Sequence, residues 1–405
     1  MKGFLPLLIL LLAIGNSKAA PGESAFDTRS HPMPAGAIAL FDGTNLDAWR
    51  TDQHSQPGWA VANGALICSP GSTALATKQS FADCQLHYEW RLTAAVAPES
   101  PSNSVLFQGR YEAPMDASSD GAAGAWQSVD ITYRAPRFNN DGSLKSSAFV
   151  TVHRNGRLER DRFELAGSAN SVSRPRYEKH SFKEPLVLRA GTSPVSFRNI
   201  WLQELGVQQL FNGKDTGGWY SYLDKLGKNQ DPEGNFTIAN GLLHIEGKNF
   251  GYLATEQAFA NYYLKVVFKW GQHQYAPRAT GKRDSGILYH FGADVPDKVW
   301  PKSLECQVQE GDCGDYWCVD GALIDSPNHA ATEWAMRRIY RTADFENPCG
   351  EWNTIEIVCN GNQSEHYVNG HLVNTGTNAN VSAGKILLQS EGAEIFYKTV
   401  ELIPY

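Results

Sequence analysis

The chain has 405 residues, 42% of them hydrophobic, and carries a formal charge of −7 from 36 Lys and Arg against 43 Asp and Glu. No cluster of Lys or Arg stands out, so the basic surface that nucleic-acid binding requires is missing and that partner class is excluded. Beyond the first residues no stretch approaches the ~20 apolar residues of a membrane span.

The chain opens with Lys2, an apolar run from Phe4 to Ile14 and the small-x-small triplet Ser17-Lys18-Ala19. That order is a secretory signal peptide, placed over residues 1–20. No Cys adjoins the cleavage point to accept lipid, so the protein is expected to be exported to a periplasm or the medium. The remaining length suits two domains, placed at 21–206 and 207–405 with the boundary near Gly206 and no flexible linker. Short apolar stretches punctuated by Gly, Asn, Ser and Thr indicate strands throughout. The 7 Cys, in an oxidising compartment, imply some disulfides. Cys68 and Cys84 fall in neighbouring predicted strands and form a candidate pair. Cys306, Cys313, Cys318, Cys349 and Cys359 leave at least one thiol over, and the Cys313–Cys318 spacing is a weak zinc pattern.

The chain repeats itself. Leu40-Phe41-Asp42-Gly43 with Trp49 returns about 170 residues later as Leu210-Phe211-Asn212-Gly213 with Trp219. Ala62-Asn63-Gly64 matches Ala239-Asn240-Gly241, an Asn-Gly hairpin signal. Phe81-Ala82 matches Phe259-Ala260, and Asn103-Ser104 aligns with Asp284-Ser285. The offset then jumps, because Trp126 next matches Trp352, so about 45 residues are present in the second half alone. Later Asn155-Gly156 matches Asn369-Gly370, and Phe197 matches Tyr397.

The extra segment begins as a strand, Leu304-Glu305-Cys306-Gln307-Val308-Gln309. Period two sets Glu305, Gln307 and Gln309 on one face and Cys306 and Val308 on the other. One reading of such a row is a plain wetted outer face. The other is a carbohydrate site, because long carboxylates and amides followed by acids and the aromatics Tyr316 and Trp317 suit sugar hydroxyls. Leu387, Gln389 and Glu391 alternate likewise near the C-terminus, while the hairpin strand of Glu365-His366-Tyr367 offers His366. If those strands are sheet neighbours, carboxylates and a histidine converge in a site fit for proton transfer. A structural role is the alternative for His366. Tyr289 and His290, adjacent on one strand, should face opposite sides. The first half answers poorly here: it has Gln108 near the place of His290 and keeps Glu112, but lacks a Glu-x-Gln.

With these motifs the chain resembles the 3-keto-disaccharide hydrolase family, in two copies. The resemblance rests on the Leu-Phe-Asp/Asn-Gly openings with their Trp, on Ser285-Gly286-Ile287, Glu305-Cys306-Gln307 and Gly350-Glu351-Trp352-Asn353. It extends through Asn369-Gly370, Leu388-Gln389 with Gly392, and Phe197-Arg198-Asn199-Ile200 in the first half. It departs at Asp284, where the family often has Asn, and at His290, where it often has Arg. The resemblance implies an all-β chain of two tandem concanavalin A-like jelly-roll sandwiches, of the lectin and glucanase type, with the second as the active one. The activity implied is cleavage of 3-keto-glycosides. Glu305 and His290 would be catalytic, Gln307, Gln389, Glu391, His366 and Trp317 would bind substrate, and a divalent metal on Glu305 or Glu391 would hold the enolate. Two other readings stand beside it: a noncatalytic carbohydrate-binding or assembly protein, and a jelly-roll glycosidase with paired acids.

Overall fold

A computed structural model describes residues 32–50, 58–92, 103–114, 124–167, 176–191 and 194–405. The expected signal peptide lies outside them. The described chain is all-β and antiparallel, and none of its segments is a helix long and apolar enough to cross a membrane. It forms two tandem jelly-roll sandwiches, each made of two stacked sheets.

In the first sandwich an eight-stranded sheet packs on a five-stranded one. In the second an eight-stranded sheet packs on one of nine strands. Alternation explains the packing. Along Tyr262–Gln274, the residues Tyr262, Leu264, Val266, Phe268 and Trp270 turn inward. From the opposite sheet Ile287, Tyr289, Leu304, Cys306 and Val308 meet them, giving one continuous core. Asn63-Gly64, Asn155-Gly156, Asn240-Gly241 and Asn369-Gly370 all adopt positive φ at both positions, which the tight hairpin turns require.

All seven cysteines are free thiols, six of them buried. The candidate pair Cys68–Cys84 does not form: the strands Ala65–Cys68 and Cys84–Leu92 are not neighbours, since Val195–Glu204 runs between them and pairs with both. A buried cysteine that packs as a small apolar side chain needs no partner.

The extra segment of the second half has a definite place. Its strands Tyr316–Val319, Ala330–Glu333 and Met336–Ile339 extend the nine-stranded sheet beyond Ser303–Gln309. In the first sandwich the described part of the corresponding sheet ends at Tyr111–Pro114. The added strands build a wall beside the Glu305 strand.

Candidate active site

The outer face of the nine-stranded sheet gathers the polar row. Gly286 pairs with Gln307 and Leu288 with Glu305, while Ile287 pairs with Leu388 and so sets Gln389 beside Gly286. Alternation on the three strands turns Asp284, Glu305, Gln307 and Gln389 to one cleft and sends Ile287, Cys306, Val308 and Leu388 into the core. The wetted-face reading fails, because Glu305 and Gln307 are 5% exposed and Gln389 is 1% exposed. Gly286 makes the arrangement fit: a Cβ there would collide with the Glu305 carboxylate and stand 2.9 Å from Gln389 Oε1.

Three carboxyls share this cleft with one guanidinium. Arg278 donates to Glu391 Oε1 at 2.8 Å and also pairs with Asp284. Asp284 accepts further from Gln307 Nε2 at 3.1 Å and from Gln309 Nε2 at 2.6 Å. Glu391 is held by Arg278 and by the Trp300 indole. Glu305 stands apart, with no hydrogen bond or ion pair to any described residue. Burial pushes its carboxyl well above the ordinary range, the charges of Glu391 and Asp284 push it further, and Arg278 offsets part of this. Burial raises Asp284 and Glu391 as well. Asp284 and Glu391 keep the donors an ionised carboxylate wants, whereas Glu305 has none among the described residues.

Around Glu305 lie polar atoms with no partner among the described residues: both amide atoms of Gln389, Gln307 Oε1 and Trp317 Nε1. Buried polar groups are nearly always satisfied, so such a set is open to water or to a polar ligand. Trp317 pairs with Glu305 across the ladder. Its ring carries the Arg338 guanidinium 5.4 Å above the centroid, and Asp315 holds Arg338 at 2.7 Å. At the other end of the sheet Tyr220, Tyr252, Leu288, Phe291 and Leu387 form an apolar cluster, with the Tyr220 and Tyr252 hydroxyls donating to Asp297 at 2.8 and 2.7 Å. A cleft with apolar rings at its end and a few convergent polar groups in its middle suits sugar rings.

The two histidines are elsewhere. A bulge shifts the register between Leu288 and Phe291, with His290 at φ 59°. The extra residue breaks the alternation, so the His290 ring does not oppose Tyr289 but packs edge-on against both Tyr289 and Tyr262. Burial lowers it to about 4, which makes it a neutral core ring outside the cleft. His366 also leaves the site, because Gln363–Val368 belongs to the eight-stranded sheet and is no neighbour of Lys385–Ser390. Its ring is fully buried, 3.0 Å from the Tyr289 hydroxyl and 3.1 Å from the Gly314 carbonyl. Burial depresses it to about 3. Replacing His366 with alanine should cost about 2 to 4 kcal/mol in denaturant unfolding, from the cavity and the orphaned partners, with kcat nearly unchanged.

Of the metal candidates, Glu391 already faces Arg278, whose guanidinium stands between Glu391 and Asp284 where a cation would sit. Glu305, the other candidate, has no ion pair among the described residues. Arg278 itself has no periodic signature: it is brought in by the turn Tyr275–Arg278, closed by a backbone hydrogen bond of 2.7 Å.

The 3-keto-alpha-glucoside-1,2-lyase-like domain matches residues 36–122 and 206–403. The chain belongs to this family. A proposed glycosyl hydrolase from Parabacteroides distasonis is 30% identical over 42% of this chain and 85% of its own, with a TM-score of 0.38. A Bacillus licheniformis beta-glucanase is 13% identical, covering 50% of this chain and all of its own, at 0.34. The carbohydrate-binding module CBM66 from Bacillus subtilis is 10% identical, covering 45% and 94%, at 0.32. No curated protein sequence matches the chain.

The two segments of this 3-keto-glucoside-lyase-like chain can be compared rung by rung. Val187 pairs with Leu106 and Ala76 in the first, as Leu387 pairs with Leu288 and Ala254 in the second. Ser104 therefore occupies the place of Gly286, one residue away from the alignment suggested by Asn103-Ser104. Arg189 takes the place of Gln389. Glu112 pairs with Leu106 as Glu305 pairs with Leu288, so the glutamate is kept, and Pro114 replaces Gln307. In the first lyase-like sandwich, however, Arg189 forms an ion pair with Glu112. The equivalent carboxylate is neutralised by its own neighbour.

Proposed function

We propose that the second sandwich cleaves 3-keto-glycosides by removing the C2 proton and expelling the C1 aglycone. The observation that carries the reading is the isolated Glu305 carboxyl beside the unpartnered amide of Gln389, with the other two acids tied to Arg278. A glycosidase with paired acids would need a second carboxyl free to act on the sugar. Here only one is free.

The chemistry follows from the substrate. A ketone at C3 acidifies the C2 hydrogen, so a single base starts the reaction. Ionised Glu305 takes the proton, and the electron pair of the C2–H bond becomes the enolate with its charge on the C3 oxygen. Gln389 Nε2 and Trp317 Nε1 are donors without partners and are suited to hold that oxygen. The enolate then re-forms the ketone as the C1–O bond breaks, giving a C1–C2 double bond. The leaving oxygen takes up the proton from Glu305. Water adding at C1 afterwards completes hydrolysis. The reading includes export, supported by the pattern of Lys2, Phe4 to Ile14 and Ser17 to Ala19.

The deciding assay offers a 3-keto-glucoside and its unoxidised parent side by side. Aglycone release from the keto compound alone is expected, and release from the parent would overturn the reading.

The pH profile follows from the burial of Glu305. The base form exists only above a carboxyl pKa lifted well over the usual ~4.3 for glutamate. The rate kcat/KM should therefore be low at pH 5 and climb on the alkaline side. A profile already flat from pH 5 upward would remove Glu305 as the base.

A further inference from the structure

A second group of ligating side chains lies outside the cleft, on the eight-stranded sheet of the second sandwich. His244 and Glu246 are two residues apart and share a face at the end of Leu242–Ile245. Ile245 pairs with Ile395, which sets Glu394 across from Glu246, and Gln274 pairs with Ala393, which brings in His273. His244 Nε2 is 3.0 Å from Glu394 Oε1 and 3.4 Å from Glu246 Oε2. His273 Nδ1 is 3.1 Å from Glu246 Oε1 and 3.7 Å from Glu394 Oε1. For four ligands about 2.05 Å from a tetrahedral zinc, neighbouring ligand atoms stand about 3.3 Å apart. His244, Glu246 and Glu394 each offer one ligand atom within 4.8 Å of the others, and the exposed His273 approaches the group from the other oxygen of Glu246, as a fourth ligand that closes on the ion.

The surroundings aim these atoms inward. Thr237 Oγ1 lies 3.2 Å from His244 Nδ1, so when that nitrogen donates to it, the Nε2 lone pair turns to the carboxylates. The His244 ring stacks on Phe396 with centroids 4.6 Å apart. Glu394 Oε2 accepts from the backbone N–H groups of Gln272 at 2.7 Å and His273 at 3.1 Å, leaving Oε1 to face both histidines. Tyr275 donates its hydroxyl proton to Glu246. At Gly271 a Cβ would strike the Glu394 carboxylate. The first sandwich supplies a comparison: Leu66 pairs with Phe197 as Leu243 pairs with Tyr397. His244, Glu246 and Glu394 then correspond to Ile67, Ser69 and Pro194, none of which ligates.

We propose that His244, Glu246, Glu394 and His273 bind one divalent ion of the zinc class, at a structural site separate from the cleft. Two imidazoles and two carboxylates are the donor set that such an ion takes, and the hard ions calcium and magnesium take all-oxygen sets instead. The chain leaves His273 directly into the turn carrying Arg278, so the ion would fix the base of the segment that reaches Asp284 and Glu391.

The test uses the full-length protein without a polyhistidine tag, stripped with chelator, dialysed against Zn²⁺ and analysed for metal by mass spectrometry. About one zinc per chain is expected, with a melting temperature raised by about 3 °C or more at saturating metal. The His273 side chain is 61% exposed, so His273→Ala should fold normally and lose at least ~10-fold in zinc affinity. His244→Asn should lose stoichiometric binding, and Glu305→Gln should retain it. Less than stoichiometric zinc in the wild type, unchanged affinity in both histidine variants, or loss in Glu305→Gln would each overturn the proposal. Since Glu305→Gln separates the two sites, failure here leaves the cleft chemistry untouched.

Discussion

Glu305→Gln is expected to lower turnover of a 3-keto-glycoside by about 10²- to 10⁴-fold, the usual contribution of a positioned general base, while KM changes little. The amide keeps the shape and cannot take a proton. The same substitution should not destabilise the protein. Burial raises the Glu305 carboxyl above its unfolded value, so the folded state prefers it protonated. The stability attached to that preference is complete below the unfolded pKa and is lost as pH rises through the folded one. Glutamine does not titrate, so the variant should gain in melting temperature over the wild type on going from pH 5 to pH 9. Glu112→Gln is the internal control, because Glu112 is already paired with Arg189, and it should leave turnover unchanged. A Glu305→Gln enzyme with wild-type kcat would remove this residue from the chemistry.

Gly286→Ala is the second large effect. The added methyl has no place to go, since it meets the Glu305 carboxylate on one side and Gln389 Oε1 at 2.9 Å on the other. Either side chain must move by about an ångström, a displacement that can cost on the order of 100-fold in rate. Overpacking should cost about 1 to 3 kcal/mol of stability. The signature is a fall in kcat/KM far larger than that loss of stability would explain, read from steady-state kinetics and denaturant unfolding on one preparation. The first sandwich carries Ser104 at this rung together with the Glu112–Arg189 pair, the combination expected where catalysis is not required.

Much of this site is legible in the order of residues, for stated reasons. Strict alternation places Glu305 and Gln307 on one face and Cys306 and Val308 on the other, and the structure keeps that division. The jump in the repeat offset marks the added wall of Tyr316–Val319 and Met336–Ile339. His290 is misread because one bulged residue reverses the facing of a strand without any mark in composition. His366 is misread because hairpin signals identify strands but not the sheet they join. Arg278 is invisible to periodicity, since a turn rather than a strand delivers it. Cys68 and Cys84 show that strands close in the chain need not be neighbours when a distant strand such as Val195–Glu204 enters between them. The glutamate of the first sandwich is visible as Glu112, but its neutralisation depends on Arg189, about 77 residues away in the chain and adjacent only through the ladder.

The most direct measurement is the fate of deuterium placed at C2 of a 3-keto-glucoside. Aglycone release should be slower than from the protiated substrate, and the label should leave the sugar in step with release, with both events absent in Glu305→Gln. Equal rates for the two substrates with deuterium retained in the sugar product would contradict proton abstraction at C2 and the account built on Glu305.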